Sequence, residues 1–228
     1  MCVVDLVASD TFSQLLPIGV ASFEAAPSAA LEILSSGERG LVEDASPRRR
    51  SHFSSGRWCA KRAAASIGVT LDELLPADDG SPGWPPGIVG SITHTAGLAA
   101  SAVASAHSFR ALGIDAEPAS PLPEGVLDAV SSLTERQSLP QQRLMDTTLF
   151  CAKEAAYKAL NSYFTAANRK EELGAITFTS LQVAIDQKGS LSFSGRDNLT
   201  RPAARIIPRV QGRWTVGRHV RVACWISL

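Results

Sequence analysis

Residues 112–118 read Leu-Gly-Ile-Asp-Ala-Glu-Pro. Within it apolar and acidic side chains alternate, the period-2 pattern of a strand with one face in the core. In such a strand Asp115 and Glu117 point the same way, with Cα atoms roughly 6.5 Å apart. Ile114 and Ala116 then face the interior. Two like charges on one face are unfavourable unless a cation or a basic partner sits between them. Hard oxygen donors of this kind suit Mg²⁺, which often takes one or two carboxylates and completes its shell with phosphate and water. The same pair also reads as two solvated acids at a strand end, closed by Pro118.

Working outward, Thr147–Ser162 carries an apolar stripe at helical spacing, Leu149, Ala152, Ala156, Ala159 and Leu160. A helix is expected there. On its flank Lys153 and Tyr157, and Glu154 and Lys158, are i, i+4 neighbours. Glu154 offers a third carboxylate or a base, and the lysines offer phosphate contacts; the plain alternative is a surface Glu–Lys pair worth about 0.3–0.5 kcal/mol. Glu124–Ser132 and Thr134–Met145 read as short helices or loop. Ala175–Ala184, Leu191–Phe193 and Trp214–Leu228, the last turning at Gly217, read as strands. Upstream, Ile88–Thr93 and Ala99–Ala104 are strand candidates and Leu71–Pro86 is an Asp-, Gly- and Pro-rich loop. Gly56–Ile67 reads as a helix capped by Ser54 and Ser55 and ended by Gly68. Ala25–Pro47 holds at most a short helix. Each half thus combines a helix with several strands. The expected fold is α+β, two similar halves, residues 1–111 and 112–228, meeting near Ala111.

Two further clusters carry chemistry. Gly87–Gly97 sets Ser91, Thr93 and His94 among small residues, a surface that a ligand can approach closely; a histidine satisfied within a turn is the alternative. Arg48, Arg49 and Arg50 precede Arg57 and Lys61, which are i, i+4 neighbours. Guanidinium forks bind phosphates at roughly 1.5–3 kcal/mol per charge-assisted bond. Arg57, read near a helix N-terminus, suits an anion, and a solvated basic run is the alternative.

The 228 residues are 45% hydrophobic and 19% charged, an ordinary globular composition. The 22 basic residues balance 22 acidic ones, against a dedicated nucleic-acid binder. Cys2, Cys59, Cys151 and Cys224 form no C-x-x-C pair and read as reduced thiols. Asp5 and Asp10 interrupt the N-terminal apolar stretch, so no signal peptide is expected, and no apolar run reaches the roughly 20 residues that span a bilayer. A cytoplasmic protein without membrane association is expected.

Individually each cluster is weak; their order and spacing together are specific. RRRSHFSSGRWCAKRAA from Arg48, GWPPGIVGSITHTAG from Gly83, LGIDAEP from Leu112 and FCAKEAAYKAL from Phe150 occur in the order of the phosphopantetheinyl transferases of the surfactin- and enterobactin-synthase class. The chain resembles that family over Arg48–Leu228, and its actinobacterial members most. The resemblance implies a monomer of two pseudo-twofold-related halves with coenzyme A in the cleft between them. It further implies Mg²⁺, with Mn²⁺ as a substitute, on Asp115, Glu117 and Glu154. Arg50 and Arg57, with Arg49 as a near alternative and Lys61 beside them, would take the 3′-phosphate end. Ser91, Thr93 and His94 would line the nucleotide, and Lys153 and Lys158 would face the pyrophosphate. Glu154 and Lys158 would be catalytic, moving the phosphopantetheine arm to a serine of an apo acyl or peptidyl carrier in fatty-acid, polyketide or peptide synthesis. Tyr163–Ala167 and the segment between Pro118 and Asp146 would receive the carrier, with Arg136, Arg143 and Arg169 steering it. Alternatives are another Mg²⁺-dependent phosphotransferase or a non-catalytic coenzyme A-binding relative. One departure stands out: relatives often carry a basic residue in the loop that here reads Pro-Ala-Asp-Asp-Gly at 76–80. The first 47 residues acquire no role from the resemblance.

Overall fold

The computed structural model describes residues 11–28, 31–174, 176–196 and 199–228. Cys2, Asp5, Asp10 and Ala175, the expected start of a strand, lie outside them. In chain order the elements are α1 (Phe12–Leu15), β1 (Val20–Ala25), α2 (Ser36–Gly40), α3 (Pro47–Ala65), β2 (Ile88–Thr95), β3 (Leu98–Ser105) and β4 (Phe109–Pro118). There follow α4 (Val126–Val130), α5 (Leu133–Ser138), α6 (Met145–Ala166), α7 (Lys170–Gly174), β5 (Leu181–Ile185), β6 (Ser190–Gly195), α8 (Arg201–Ile206), β7 (Gln211–Val216) and β8 (His219–Ser227).

Two antiparallel sheets result. The first has the order β1-β3-β2 and the second β4-β8-β7-β6-β5. Helix α3 packs on the first through Ala60, Ala63 and Ala64, which meet Leu71, Leu74 and Val103. Helix α6 packs on the second through Leu149, Ala152, Ala156 and Leu160, against Val183, Phe193, Trp214 and Val222. Among the described residues no helix is long and apolar enough to cross a membrane.

Side chains, rather than a backbone ladder, join the sheets. Residues i and i+2 of a strand share a face, and β2 places hydroxyls at 91, 93 and 95. Ser91 Oγ accepts from the Ile114 amide at 3.0 Å and Thr93 Oγ1 from the Ala116 amide at 3.3 Å. These are amides on the free edge of β4, which would otherwise be buried without a partner.

The halves share an internal repeat that links sequence to packing. Cys-Ala-Lys-Arg-Ala-Ala at 59–64 recurs as Cys-Ala-Lys-Glu-Ala-Ala at 151–156. In both, the cysteine and alanines are buried and the lysine reaches a buried glutamate from a preceding capping box. Lys61 Nζ lies 2.8 Å from Glu38 Oε2, and Lys153 Nζ 2.9 Å from Glu135 Oε1. Each glutamate also accepts a distant amide, Leu74 N or Val183 N, both at 2.9 Å.

Several expectations are corrected. Helix α3 begins at Pro47, nine residues before the expected Gly56, because Ser46 accepts from the Arg49 amide and Pro47 suits the first helical position. Ser54 and Ser55 are therefore internal to the helix. Ser54 Oγ bonds back to the Arg50 carbonyl at 2.8 Å, and both hydroxyls donate to the Ser28 carbonyl. Arg57 consequently sits mid-helix, away from free amides. Gly68 does follow the helix, at φ +76°. The strand expected from Ala175 begins at Leu181, because Thr177–Ser180 is a turn closed by Thr177 and Ser180 hydroxyls. Val20–Ala25, in the stretch to which the sequence assigned no role, is β1 and forms an edge of the first sheet, and Glu24 reaches Arg221 of β8 at 3.1 Å.

Candidate active site

A close approach of helix to strand builds the site. A Cβ on Gly113 would lie 1.9 Å from the Ala155 carbonyl oxygen and 2.7 Å from the Ala159 nitrogen. Only glycine in β4 and small residues on α6 allow this contact. It sets Glu154 and Lys158 beside Asp115. Lys158 Nζ lies 2.6 Å from Asp115 Oδ1 and 3.2 Å from the Ile114 carbonyl. Thr93 Oγ1 donates to the same Oδ1 at 3.1 Å, and Thr95 Oγ1 donates to Glu117 Oε2 at 3.3 Å.

The electrostatics are those of crowded acids. Burial, then the Asp115 carboxylate, holds Glu154 above the usual carboxylate range. Burial, Asp115 and, more weakly, Glu154 do the same to Glu117. Burial works against the charge of Lys158, but Asp115 and then Glu154 together hold the ammonium above its ordinary value. One ammonium thus faces three carboxylates, and Asp115 Oδ2 is buried without a hydrogen-bond partner. Among the described residues no three His, Cys, Asp or Glu side chains converge as a finished metal cage. The residues nonetheless fit a small hard divalent cation, because the donors are oxygen, in charge excess, with one buried oxygen free.

Two adjoining cavities flank this centre. The larger, about 460 Å³, is lined by Trp84, Gly90, Ser91, Lys158, Asn161 and Thr165. The smaller, about 290 Å³, is lined by Arg49, His52, Phe53, Arg57 and His94. Pro82 and Ile92 belong to both. The Arg57 guanidinium lies 4.3 Å from the Phe53 ring centroid, and its Nε is buried without a hydrogen-bond partner, 4.0 Å from Glu38 Oε1. Burial lowers the Arg57 pKa to about 10, against the opposing pull of Glu38. The His52 and His94 rings stack at 4.6 Å.

Asp115, Glu154, Lys158 and Thr93 are thus brought together, Glu117 stands within the same field, and Arg49, Arg57 and His94 share one cavity. Ser91 lines the larger cavity while holding β4. Arg50 lines neither cavity. Lys61 is committed to Glu38 and the Ile33 carbonyl. Lys153 is the clear correction. It is fully buried, and besides Glu135 it donates to the Phe178 and Leu181 carbonyls at 2.6 and 2.7 Å. Its ammonium is held in the protein interior by Glu135, as that of its counterpart Lys61 is held by Glu38, and these internal contacts oppose a pyrophosphate contact. Arg136 is paired with Asp128 at 3.0 Å.

Sequence reasoning passed over three residues and gave a fourth no contact. Glu38 and Glu135 carried a signal, the Ser-x-x-Glu capping box at 35–38 and 132–135. His52 had only its place among arginines. Asp79 was read as a missing base, and the structure gives it a contact of its own. Its Oδ2 accepts from Asn161 Nδ2 at 3.3 Å and lies 3.7 Å from Lys170 Nζ, so the loop docks on α6 and α7. A hydrogen bond from Ser81 is the main reason its carboxyl is lowered to about 2.

Comparison with known proteins shows the family. Residues 37–104 match the 4′-phosphopantetheinyl transferase N-terminal domain, and residues 111–216 match the 4′-phosphopantetheinyl transferase superfamily. The chain is 34% identical over 209 residues to the 4′-phosphopantetheinyl transferase Svp of Streptomyces mobaraensis, covering 88% of this chain and 81% of that one. It is 46% identical over 125 residues to Npt of Nocardia iowensis and 44% identical over 126 residues to PptT of Mycobacterium tuberculosis. Those two matches cover 54% of this chain and 56% of each relative, so the chain spans about half the length of these two relatives. With both halves matched and one relative similar over most of its length, the chain belongs to the 4′-phosphopantetheinyl transferase family.

Proposed function

We propose that this chain moves the phosphopantetheine arm of coenzyme A to a serine hydroxyl of an apo acyl or peptidyl carrier protein, releasing 3′,5′-ADP. The observation that carries it is the Lys158–Asp115 pair, set among three carboxylates and next to the cavity of Arg49, Arg57 and His94. A diphosphate at Lys158 and a phosphate monoester among the arginines match the two ends of one nucleotide. On this reading residues 1–111 hold the nucleotide, residues 112–228 carry the catalytic groups, and the substrate lies in a cleft between the halves.

The chemistry follows from the groups present. Glu154, whose carboxyl is raised toward the working pH by burial and Asp115, accepts the serine proton. The serine oxygen bonds to the β-phosphorus, the one bearing pantetheine, and the bond from that phosphorus to the bridging oxygen breaks. Lys158 stabilises the phosphoryl oxygens and the departing ADP. Mg²⁺ held by Asp115 and Glu117 with Glu154 would supply further positive charge against the diphosphate.

A surface for the carrier adjoins this cleft. Ala166 lines both the larger cavity and a neighbouring one, which shares Tyr163 and Ala167 with a third. Arg110 and Arg209 line the second, and Arg169, Arg201 and Arg205 the third, with no acidic side chain among the described lining residues. An acidic carrier helix suits this track, where charge steers encounter more than it adds affinity.

Intact-mass spectrometry of an apo carrier incubated with the protein, coenzyme A and Mg²⁺ is the test. A gain of one phosphopantetheine that EDTA abolishes supports the reading. No gain with fatty-acid, polyketide and peptide carriers, despite coenzyme A binding, overturns it.

A further inference from the structure

We infer that His52, stacked on His94, is a second imidazole reading the phosphate monoester of the nucleotide, so that binding this phosphate takes up protons. The inference rests on the coenzyme A reading above and deepens it. Both rings line the 290 Å³ cavity together with Arg49 and Arg57, and they lie near-parallel, 28° apart, at a centroid distance of 4.6 Å.

The charges around the pair make it a proton-linked site. On α3, Arg48 and Arg49 bear on His52; from α6, Lys158 bears on His94. Arg57 lines the same cavity, and the one acid beside it, Glu38 of α2, is held by Lys61 and the Leu74 amide. Every charge bearing on the two rings is therefore positive. Two cationic imidazoles at stacking distance among guanidinium groups repel one another, so desolvation and these cations hold both below their ordinary value. A phosphate dianion reverses the sign of the local field and favours the protonated rings, whose N–H groups then donate to it. Both rings line the same cavity, so one ligand there can meet both. The stack is thus a reader selective for a dianionic terminal group over a hydroxyl.

The linkage has a definite sign. The free protein carries neutral rings near neutral pH and the complex carries protonated ones, so affinity rises as pH falls, by up to about tenfold per pH unit for each proton taken up. The window lies above the lowered pKa of the free rings, where they are neutral, and it closes as pH falls through that value or through the second ionisation of a phosphate monoester near 6.

Isothermal titration of the full chain with coenzyme A and with 3′-dephospho-coenzyme A, in buffers of different ionisation enthalpy, tests the inference. Expected are proton uptake and pH-dependent affinity for coenzyme A, neither for the dephospho form, and reduced uptake in His52→Gln. Uptake that is the same for both nucleotides, or unchanged in a folded His52→Gln, overturns the inference while leaving the transferase reading intact. If neither nucleotide binds, both fall. The wild-type buffer comparison stands without the variant.

Discussion

Lys153→Met tests whether this lysine is part of the site or of the frame. The wild-type ammonium is fully buried and makes four short contacts, to both oxygens of Glu135 and to the Phe178 and Leu181 carbonyls, at 2.6–3.0 Å. Methionine keeps the bulk and removes the charge, leaving the Glu135 carboxylate unbalanced in the interior. Breaking a buried pair in this one-sided way costs about 3–5 kcal/mol, a large share of the ~5–15 kcal/mol that holds a typical domain. At about 2–4 °C per kcal/mol for a chain of this size, the melting temperature should fall by about 6–20 °C. Adding Glu135→Gln, which removes the stranded charge and keeps the helix cap, should recover part of that loss. The assay is thermal unfolding followed by circular dichroism, paired with coenzyme A titration at a temperature where the variant is folded. The expected result is a large melting shift with near-normal affinity. A variant that melts like the wild type but binds coenzyme A many times more weakly would refute the reasoning and return Lys153 to the pyrophosphate.

Three other outcomes are expected. Gly113→Ala puts a Cβ 1.9 Å from the Ala155 carbonyl; overpacking of this kind costs about 1–3 kcal/mol or more, and by displacing α6 it should lower transfer turnover more than coenzyme A binding, measured by carrier modification and titration. Glu38→Leu strands the ammonium of Lys61 beside Arg57 and should destabilise by about 3–5 kcal/mol, seen in a chemical denaturation curve. Asp79→Ala should cost no more than about 1 kcal/mol, since its contacts are largely exposed, yet speed proteolysis within residues 76–83. Because the Asp79 carboxyl is lowered to about 2, its contribution is present above about pH 4 and lost only as pH falls through about 2, so the variant should cleave faster across the whole neutral range.

The parts of this protein that were legible from sequence are those governed by local periodicity. Alternation over residues 112–117 marks β4 and aims Asp115 and Glu117 together. The 3.6-residue stripe marks α6 and sets Glu154 and Lys158, four residues apart, on one side. The same arithmetic carried an unused warning. Lys153 and Lys158 are five residues apart and therefore about 140° apart around the helix, so one phosphate cannot be met by both. The short capping-box motifs and the repeated Cys-Ala-Lys at 59–61 and 151–153 were also visible, but what they meant was not. Whether a lysine faces solvent or a buried glutamate depends on which distant segment lies over it, and no periodicity within the helix encodes that segment.

The sequence by itself determined the alternating strand, the amphipathic helix, the glycine at 113 and the supply of carboxylates, arginines and hydroxyls. Tertiary structure alone decided which of these groups meet. It joined Ser91 and Thr93 to the β4 amides, Lys61 to Glu38, Lys153 to Glu135 and Asp79 to α6, across separations of 18 to 82 residues. The physical reason is that a buried polar group must find a partner wherever the chain brings one. Packing, and not local pattern, therefore assigned each charged side chain to the interior frame or to the open site.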